Sequence, residues 1–122
     1  MKLEGKVAIV TGGGRDIGRA CAMRLAREGA AVAINYHSSS EGADSAVTEI
    51  SQAGGRAFAM KGDMTNRTDV DALVGRAAAE WGRVDVAVPN AGGIIGRVPF
   101  MEMTEDFVER VFALNFTSAM LL

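Results

Sequence analysis

Apolar residues along the chain occur in short uninterrupted runs, and longer amphipathic stretches separate these runs. Val7–Val10 predicts a first strand, and Ala31–Tyr36 is apolar enough to predict a second strand that is buried on both faces. Arg56–Met60 and Val84–Val88 predict a third and a fourth strand of the same short type. The chain therefore contains four candidate strands, each followed by a segment with helical spacing.

Apolar stripes define the buried faces of the predicted helices. They are Ile17, Cys21 and Leu25 in the first helix (Arg15–Glu28), Ala43, Ala46, Val47, Ile50 and Ala53 in the second, and Val70, Leu73, Val74, Ala77, Ala78 and Trp81 in the third. Ser38 with Glu41 predicts a capping box at the start of the second helix. Thr65 and Asn66 can cap the third helix, and Thr104 can cap the last one.

Strict alternation of strands and helices predicts an α/β fold, in which a parallel sheet carries helices on both faces. Right-handed crossovers then give a doubly wound sheet, whose ligand site lies at the carboxyl ends of the strands. The length of 122 residues allows a single domain, residues 1–122. We expect the loops after all four strands to share one edge.

Charge and composition exclude some classes of partner and leave a cytoplasmic protein as the expectation. The formal net charge is −2 with acids and bases interspersed, so nucleic acid and membrane surfaces are not expected partners. No apolar run approaches membrane-spanning length. The single cysteine, Cys21, fits a reducing compartment and is interpreted as a small buried side chain. His37, the single histidine, has no metal-ligand companions, so no metal site is expected.

A glycine-rich loop joins the first strand to the first helix. Its candidate ligand-binding residues are Gly12, Gly14, Arg15, Asp16, Ile17 and Gly18. The N-terminus of a helix offers free backbone N–H groups and partial positive charge, and glycines let a bulky pyrophosphate approach them. One glycine would indicate an ordinary strand–helix connection, whereas this cluster favours a phosphate site.

Four motifs in order resemble the short-chain dehydrogenases/reductases and span the whole chain. Thr11-Gly12-x-x-x-Asp16-x-Gly18 resembles the Thr-Gly-x-x-x-Gly-x-Gly fingerprint of that family. Asp63, Pro89-Asn90-Ala91-Gly92 and Asn115 match its aspartate, its Asn-Asn-Ala-Gly motif and its helix asparagine. The resemblance implies a Rossmann-type domain of an oxidoreductase that moves hydride between a nicotinamide cofactor and a carbonyl or alcohol. Within the family, the chain resembles 3-oxoacyl-carrier-protein reductases and sugar-alcohol dehydrogenases.

The resemblance also implies roles for single residues. Asp63 would contact the adenine ring with Met64 beside it, and Asn90, with Ala91 and Gly92, would reach the cofactor ribose. From spacing alone, Asp63 is equally a turn or capping aspartate. Asn115 would brace the catalytic centre and its proton-relay water. Its apolar neighbours predict burial, where a structural bond to a nearby loop is an alternative that does not exclude the family role.

The end of the second strand favours NADP(H) over NAD(H). An acid there would bind the ribose 2′-hydroxyl of NAD, but the aligned residue is Tyr36 and no acid follows until Glu41. Arg15 can face a 2′-phosphate, with Ser38 and His37 as hydrogen-bond donors. The alternatives are helix capping for Ser38 and a solvated loop side chain for His37.

The chain departs from the family pattern in three respects. Asp16 replaces a glycine, and its carboxylate would repel a pyrophosphate unless Arg15 and Arg19 offset it. Pro89 replaces an asparagine and removes one strand N–H donor. The catalytic serine and the Tyr-x-x-x-Lys motif of the family are missing. The single tyrosine is Tyr36, and the residue four positions after it is Ser40 instead of lysine.

We therefore expect the chain to be the cofactor-binding half of a longer reductase, ending before a fifth strand and inactive by itself. The last helix, Phe107–Leu122, is apolar nearly all round and in the family packs on a sister subunit, which predicts a homo-oligomer. The alternative is a non-catalytic dinucleotide-binding or interaction module.

Overall fold

In a computed structural model that describes all 122 residues, four strands alternate with helices. The strands are β1 (Val7–Val10), β2 (Ala31–Tyr36), β3 (Arg56–Lys61) and β4 (Val86–Val88). The helices are α1 (Asp16–Arg27), α2 (Ser40–Gln52), α3 (Arg67–Trp81), α4 (Glu105–Phe112) and α5 (Ser118–Leu121). A 3₁₀ turn at Phe100–Glu102 precedes α4, and a π-helical segment, Ala113–Thr117, lies between α4 and α5.

All strand pairs are parallel, and the sheet order is β3-β2-β1-β4. Val10, the last residue of β1, lies opposite Ile34 of β2 and Val88 of β4. Because the strands share direction and register, the loops that follow them emerge at one edge of the sheet. The predicted α/β doubly wound fold is confirmed for the four strands.

Each face of the sheet is covered by helices and forms its own core. Ala8, Val10, Val32 and Ile34 point to one face, where they pack with α1 and α2. Val7, Ile9, Ala31, Ala33 and Phe58 point to the other face, where they pack with α3 and the end of α5. Alternate residues of β1 and β2 are thus buried on opposite sides, which explains why both strands are apolar throughout.

The predicted inner face of α1 is right for two of its three residues. Cys21 and Leu25 are half-buried and pack against the core, whereas Ile17 is 73% exposed. The fully buried residues of the helix are Gly18, Ala22 and Met23. Small side chains at Gly18 and Ala22 let the helix approach the sheet closely, whereas the larger Ile17 is left at the rim. In α3, Val70, Leu73 and Ala77 are buried as the stripe predicts, but Ala78 is exposed.

Several predicted ends also need correction. The capping box is wrong, because α2 begins at Ser40 after Ser39, and no side chain caps it. The third helix is capped by Asn66, whose side chain accepts from the N–H groups of Thr68 (2.9 Å) and Asp69 (3.3 Å). The fourth strand begins at Val86 instead of Val84. The residue before it, Asp85, binds the start of β1 through its side chain, since its carboxylate accepts from Val7 N–H at 2.9 Å.

The last predicted helix is interrupted instead of continuous. Thr104 caps it as expected, its Oγ1 accepting from Phe107 N–H at 3.1 Å, but the chain widens into a π-helical segment after Phe112. Phe112, Phe116 and Met120 are exposed along this segment and α5. No helix combines the length and the apolar character needed to cross a membrane.

Candidate functional site

A cleft of about 680 Å³ opens at the carboxyl edge of the sheet, where the loops after all four strands meet. Thirteen of the residues proposed from the sequence line it: Gly12, Gly14, Arg15, Asp16, Ile17, Tyr36, His37, Ser38, Asp63, Met64, Asn90, Ala91 and Gly92. Gly18 and Asn115 do not line it. The fold thus gathers into one cavity residues that are spread over most of the chain.

The glycine loop leaves a row of backbone donors at the mouth of the cleft. Gly12 adopts a left-handed conformation (φ 62°) that turns the chain sharply after β1. The N–H groups from Gly14 to Gly18 have no hydrogen-bond partner in the chain, as expected at the start of a helix. These donors and the positive end of the α1 dipole fit an anionic group such as a pyrophosphate.

Asp16 is the one non-glycine residue with a positive φ, 50°. Its side chain is exposed and lies at the cleft, in the first turn of α1. Arg19 does not offset its charge as the sequence suggested, because the Arg19 guanidinium is paired with Glu49 (3.0 Å) and Ser45 (3.3 Å) of α2. Arg15 is therefore the cation of this loop that remains available to a ligand.

Gly18 has a packing role and lies just behind the cleft. A Cβ at this position would overlap the carbonyl oxygen of Gly12 and the side-chain amide of Asn90. The same amide donates to the Gly12 carbonyl at 3.1 Å, and the Thr11 hydroxyl accepts from Ala91 N–H at 3.0 Å. These two bonds hold the loops after β1 and β4 together. The first turn of α1 packs so closely against them that position 18 has room only for glycine.

Asn35 is a site residue that the motif comparison missed. It is buried in β2, where its Oδ1 accepts from Gly12 N–H (3.2 Å) and its Nδ2 donates to the Gly62 carbonyl (3.0 Å). Its own carbonyl accepts from Gly13 N–H at 2.8 Å. Asn35 therefore joins the ends of β1, β2 and β3. A single polar residue within an apolar strand was the available signal, because buried amides require partners.

Asp63 forms a tight turn at the end of β3. Its Oδ1 accepts from the Thr65 hydroxyl (2.6 Å) and the Thr65 N–H (2.9 Å), and the Asp69 carboxylate accepts from Asp63 N–H (2.8 Å). The pKa of Asp63 is lowered, chiefly by these two bonds from Thr65, against the opposing effect of burial. The carboxylate is thus both a turn residue, as the spacing allowed, and part of the cleft wall.

Tyr36, His37 and Ser38 form the wall of the cleft at the end of β2. Tyr36 is half-buried and pairs in register with Lys61, whereas His37 and Ser38 are exposed. Ser38 makes no cap for α2, so its hydroxyl is not used in the way the capping box predicted. Both polar side chains are available to a ligand in the cleft.

Asn115 is exposed, which corrects the expectation that it is buried. It lies in the π-helical segment, and its side chain makes a reciprocal pair with Gly93: Nδ2 donates to the Gly93 carbonyl and Oδ1 accepts from Gly93 N–H, both at 2.9 Å. Nδ2 also donates to the Val111 carbonyl at 3.0 Å. Asn115 therefore fixes the loop after β4, which forms one wall of the cleft.

The remaining cleft residues were not predicted from the sequence as site residues. They are Asn35, Ser39, Gly62, Thr65, Gly93, Ile94, Ile95, Arg110, Ala113 and Leu114. Most of them flank a predicted residue by one or two positions, so the strand ends located them approximately. Arg110, Ala113 and Leu114 come from a helix that the sequence placed near the site only through Asn115. No group of three acidic, histidine or cysteine side chains is arranged to hold a metal ion.

Comparison with known proteins agrees with this arrangement. The family model described as short chain dehydrogenase matches residues 6–122. The chain belongs to this family of oxidoreductases, as the four sequence motifs predicted.

Individual relatives cover nearly all of this chain. An uncharacterised oxidoreductase of Methylorubrum extorquens is 43% identical over 98% of the chain and 48% of its own length. A hydroxynaphthalene reductase-like protein, Arp2, of Metarhizium brunneum is 43% identical over 93% of the chain and 42% of its own. The chain thus spans about half the length of the curated relatives it matches.

Two solved structures have the same fold. A dehydrogenase/reductase from Sinorhizobium meliloti superposes with a TM-score of 0.92 at 41% identity, over 98% of this chain and 47% of that one. A short chain dehydrogenase from Burkholderia cenocepacia, solved in complex with NADP, gives 0.92 at 38% identity, over 99% of this chain and 49% of that one.

Proposed function

We propose that this chain is the cofactor-binding part of a reductase that transfers hydride between NADP(H) and a carbonyl or alcohol substrate. The observation that carries the proposal is the cleft itself, which is lined by four residues with unpaired backbone N–H groups, Gly14 to Ile17, and by the loop after β4. This arrangement suits a dinucleotide, because its pyrophosphate can bind at the N-terminus of α1 while its adenine and nicotinamide rings extend along the cleft in opposite directions.

The nicotinamide cofactor, when bound, supplies the hydride, and the residues of this chain bind and orient it. Gly12 and the N-terminus of α1 hold the pyrophosphate, Asp63 and Met64 accommodate the adenine, and Asn90 contacts a ribose. Asn115 holds Gly93 and thereby positions the loop after β4, which would lie beside the nicotinamide ring. In the complete protein we expect the proton-transfer groups to come from residues outside this chain.

Preference for NADP(H) over NAD(H) is supported by the charges around the end of β2. Tyr36 occupies the position where an acid would select a free 2′-hydroxyl, and Arg15 lines the same cleft with no ion-pair partner. A guanidinium matches a phosphate through paired hydrogen bonds, and the Ser38 hydroxyl adds a donor. A relative solved with NADP is consistent with this choice.

Fluorescence titration of the purified protein with NADPH and with NADH tests the proposal. We expect NADPH to bind more tightly, and Arg15→Ala to weaken NADPH roughly tenfold and NADH much less, because the charge-assisted bonds to the 2′-phosphate are lost for NADPH alone. Arg27→Ala, an exposed arginine near the other end of α1, is the matched control and should change neither affinity. Equal affinities for the two nucleotides would reject the preference.

Hydride transfer needs its own measurement, because a non-catalytic binding module would bind NADPH equally well. The intact mass of the protein purified from its source distinguishes the two functions. We expect a polypeptide well above 12.8 kDa, or a second copurifying chain, that contains Tyr-x-x-x-Lys and oxidises NADPH with a carbonyl substrate. A stable species of this mass that binds NADPH without turnover supports the binding module instead.

We also propose self-association through the last helical region, Phe107–Leu122. Phe112 and Phe116 are 59% and 58% exposed, and adjacent large apolar side chains of this kind mark interaction surfaces. Sedimentation velocity should show a homo-oligomer that Phe116→Glu weakens, whereas Glu109→Gln in α4 leaves the sedimentation coefficient unchanged. A monomeric wild-type protein contradicts this proposal.

A further inference from the structure

Two glycines of neighbouring elements pack against each other beside the cleft. Gly14 is buried in the loop after β1, and Gly42 lies in the first turn of α2. A Cβ at Gly42 would overlap the carbonyl oxygen of Gly14, and a Cβ at Gly14 would lie 2.8 Å from the carbonyl oxygen of Ser39. The loop after β1 therefore lies directly on the start of α2, with no side chain between the two backbones.

This contact orients the peptide that joins Gly14 to Arg15. A peptide unit is planar and, because every one in this chain is trans, its carbonyl and its N–H point in opposite directions. Since the Gly14 carbonyl lies against Gly42, the Arg15 N–H points away from α2. This N–H has no partner in the chain and belongs to the row of donors at the start of α1. Gly42 thus helps to orient a group that would bind the pyrophosphate.

The same contact sets the distance between the two sides of the proposed 2′-phosphate site. Arg15 follows Gly14 directly, and Ser38 precedes Ser39 directly, so the backbone contact brings Arg15 and Ser38 close to each other. Both residues line the cleft, and the side chain of neither has a partner in the chain. A phosphate bound between them would receive donors from both loops at once.

Resting on the proposed binding of NADP(H), we propose that Gly42 is a positioning residue that determines the selectivity for NADP(H) over NAD(H). A methyl group at position 42 would meet backbone instead of the flexible end of a side chain. It must therefore push the loop after β1 and the start of α2 apart. Arg15 and Ser38 would then no longer reach one phosphate together. A 2′-hydroxyl carries no charge and depends less on this spacing, so NAD(H) loses less affinity.

Titration of Gly42→Ala with NADPH and with NADH tests the inference, and Gly75→Ala is the matched control. Both variants replace a helical glycine with alanine, but a Cβ at Gly75 meets no atom within 4 Å. We expect the ratio of NADPH affinity to NADH affinity to fall roughly tenfold in Gly42→Ala, which corresponds to the loss of about one charge-assisted hydrogen bond. The control should keep the wild-type ratio. A wild-type ratio in Gly42→Ala overturns the inference.

Combining the substitution with Arg15→Ala shows whether Gly42 acts through Arg15. In the Arg15→Ala protein, Gly42→Ala should leave the ratio of the two affinities nearly unchanged, because the cation that binds the 2′-phosphate is already absent. A loss of overall stability would lower both affinities in either background and would not produce this dependence on Arg15. A second tenfold fall in the ratio contradicts the proposed role of Gly42.

Nuclear magnetic resonance of the wild-type protein tests the same inference without a substitution that affects folding. The amide signals of Arg15 and Gly42 should shift more with NADP⁺ than with NAD⁺, because the 2′-phosphate would bind between the two segments that carry them. Equal shifts with both nucleotides overturn the inference while leaving nucleotide binding intact. Failure of the wild-type protein to bind either nucleotide overturns the proposed function and the inference together.

Discussion

At the scale of single residues, Asp16 combines an unfavourable backbone conformation with a favourable position for its charge. Its left-handed backbone costs a non-glycine residue about 1–2 kcal/mol, although aspartate tolerates it better than most. Its carboxylate gains about 0.3–1 kcal/mol from the N-terminus of α1. A glycine would remove both the backbone cost and the gain from the helix N-terminus. It would also raise the conformational entropy of the unfolded chain, which lowers the stability of the fold by a similar amount. Stability therefore does not explain the presence of this aspartate in the loop.

For Asp16→Gly we expect the free energy of unfolding to change by less than about 1 kcal/mol, because these contributions offset one another. We expect NADPH to bind about fivefold more tightly, because a negative charge is removed beside the pyrophosphate. Urea unfolding and nucleotide titration measure the two quantities.

Asp16→Asn separates charge from backbone, since asparagine keeps the left-handed preference without the carboxylate. It should tighten NADPH binding nearly as much as glycine does. Affinity that is unchanged or weaker in both variants rejects the idea that the carboxylate opposes the pyrophosphate.

Asn35→Ala is predicted to lower the free energy of unfolding by about 1–3 kcal/mol. The substitution leaves the Gly12 N–H and the Gly62 carbonyl without the partners that Asn35 provides at 3.2 and 3.0 Å. Nucleotide affinity should fall as well, because the loop after β1 loses an anchor. Thr48→Ala, at an exposed position of α2, is the matched control: it should leave nucleotide affinity unchanged and should not lower the free energy of unfolding, since alanine has the better helix propensity.

At the scale of the elements, two helical glycines give opposite predictions for the same substitution. A Cβ at Gly75 in α3 meets no atom within 4 Å, so Gly75→Ala should raise the free energy of unfolding by about 0.5–1 kcal/mol through the better helix propensity of alanine. A Cβ at Gly18 in α1 overlaps the Gly12 carbonyl, so Gly18→Ala should lower it by about 1–3 kcal/mol.

Thermal or urea unfolding of both variants tests this pair. Stabilisation by Gly18→Ala would contradict the close approach of α1 to the loop after β1.

The elements show which parts of a sequence pattern predict structure. The strands and the order of the helices were predictable, because β1 and β2 are apolar on both faces and glycines follow the helices. The inner face of α1 was predicted only in part, because two of its three buried residues, Gly18 and Ala22, are small and carry little hydrophobic signal. Hydrophobic periodicity favours large side chains, and here the large one, Ile17, lies at the rim.

The ends of the elements were predicted less well, since they depend on partners distant in the sequence. The β4 strand begins late because Asp85 bonds Val7, and the final helix widens where Asn115 reaches back to Gly93. Similarly, the strand ends located most of the cleft, but nothing local to Asn35 shows that it joins three strands. Recognising these residues requires knowledge of which strands are neighbours.

For the whole molecule, the two aspartates with lowered pKa values determine how stability responds to acid. Hydrogen bonds from Thr65 lower the pKa of Asp63, and those from Arg83 and Val7 lower the pKa of Asp85. In both cases the unfolded chain takes up its proton first as the pH falls. Their contribution to stability is therefore complete above about pH 4 and is lost progressively below it.

Asp85→Asn should flatten this response, because the variant has no carboxylate beside Val7 to take up a proton. Urea unfolding at neutral pH and at successively lower pH values measures the slope. The gap in stability between wild type and variant should narrow below about pH 4. A gap that stays constant down to about pH 2 contradicts the assignment of Asp85 as an acid-sensitive contact.

The position of β4 beside β1 also determines the order in which the molecule is assembled. Gly12 and Asn90, which meet across these strands, are separated by 78 residues. During synthesis, β1, β2 and β3 emerge with their connecting helices well before β4, and closing so long a loop is a slow step. The side of the cleft built by the loops after β1, β2 and β3 can therefore form while the chain is still growing, and the side built by the loop after β4 is completed only when that loop has left the ribosome.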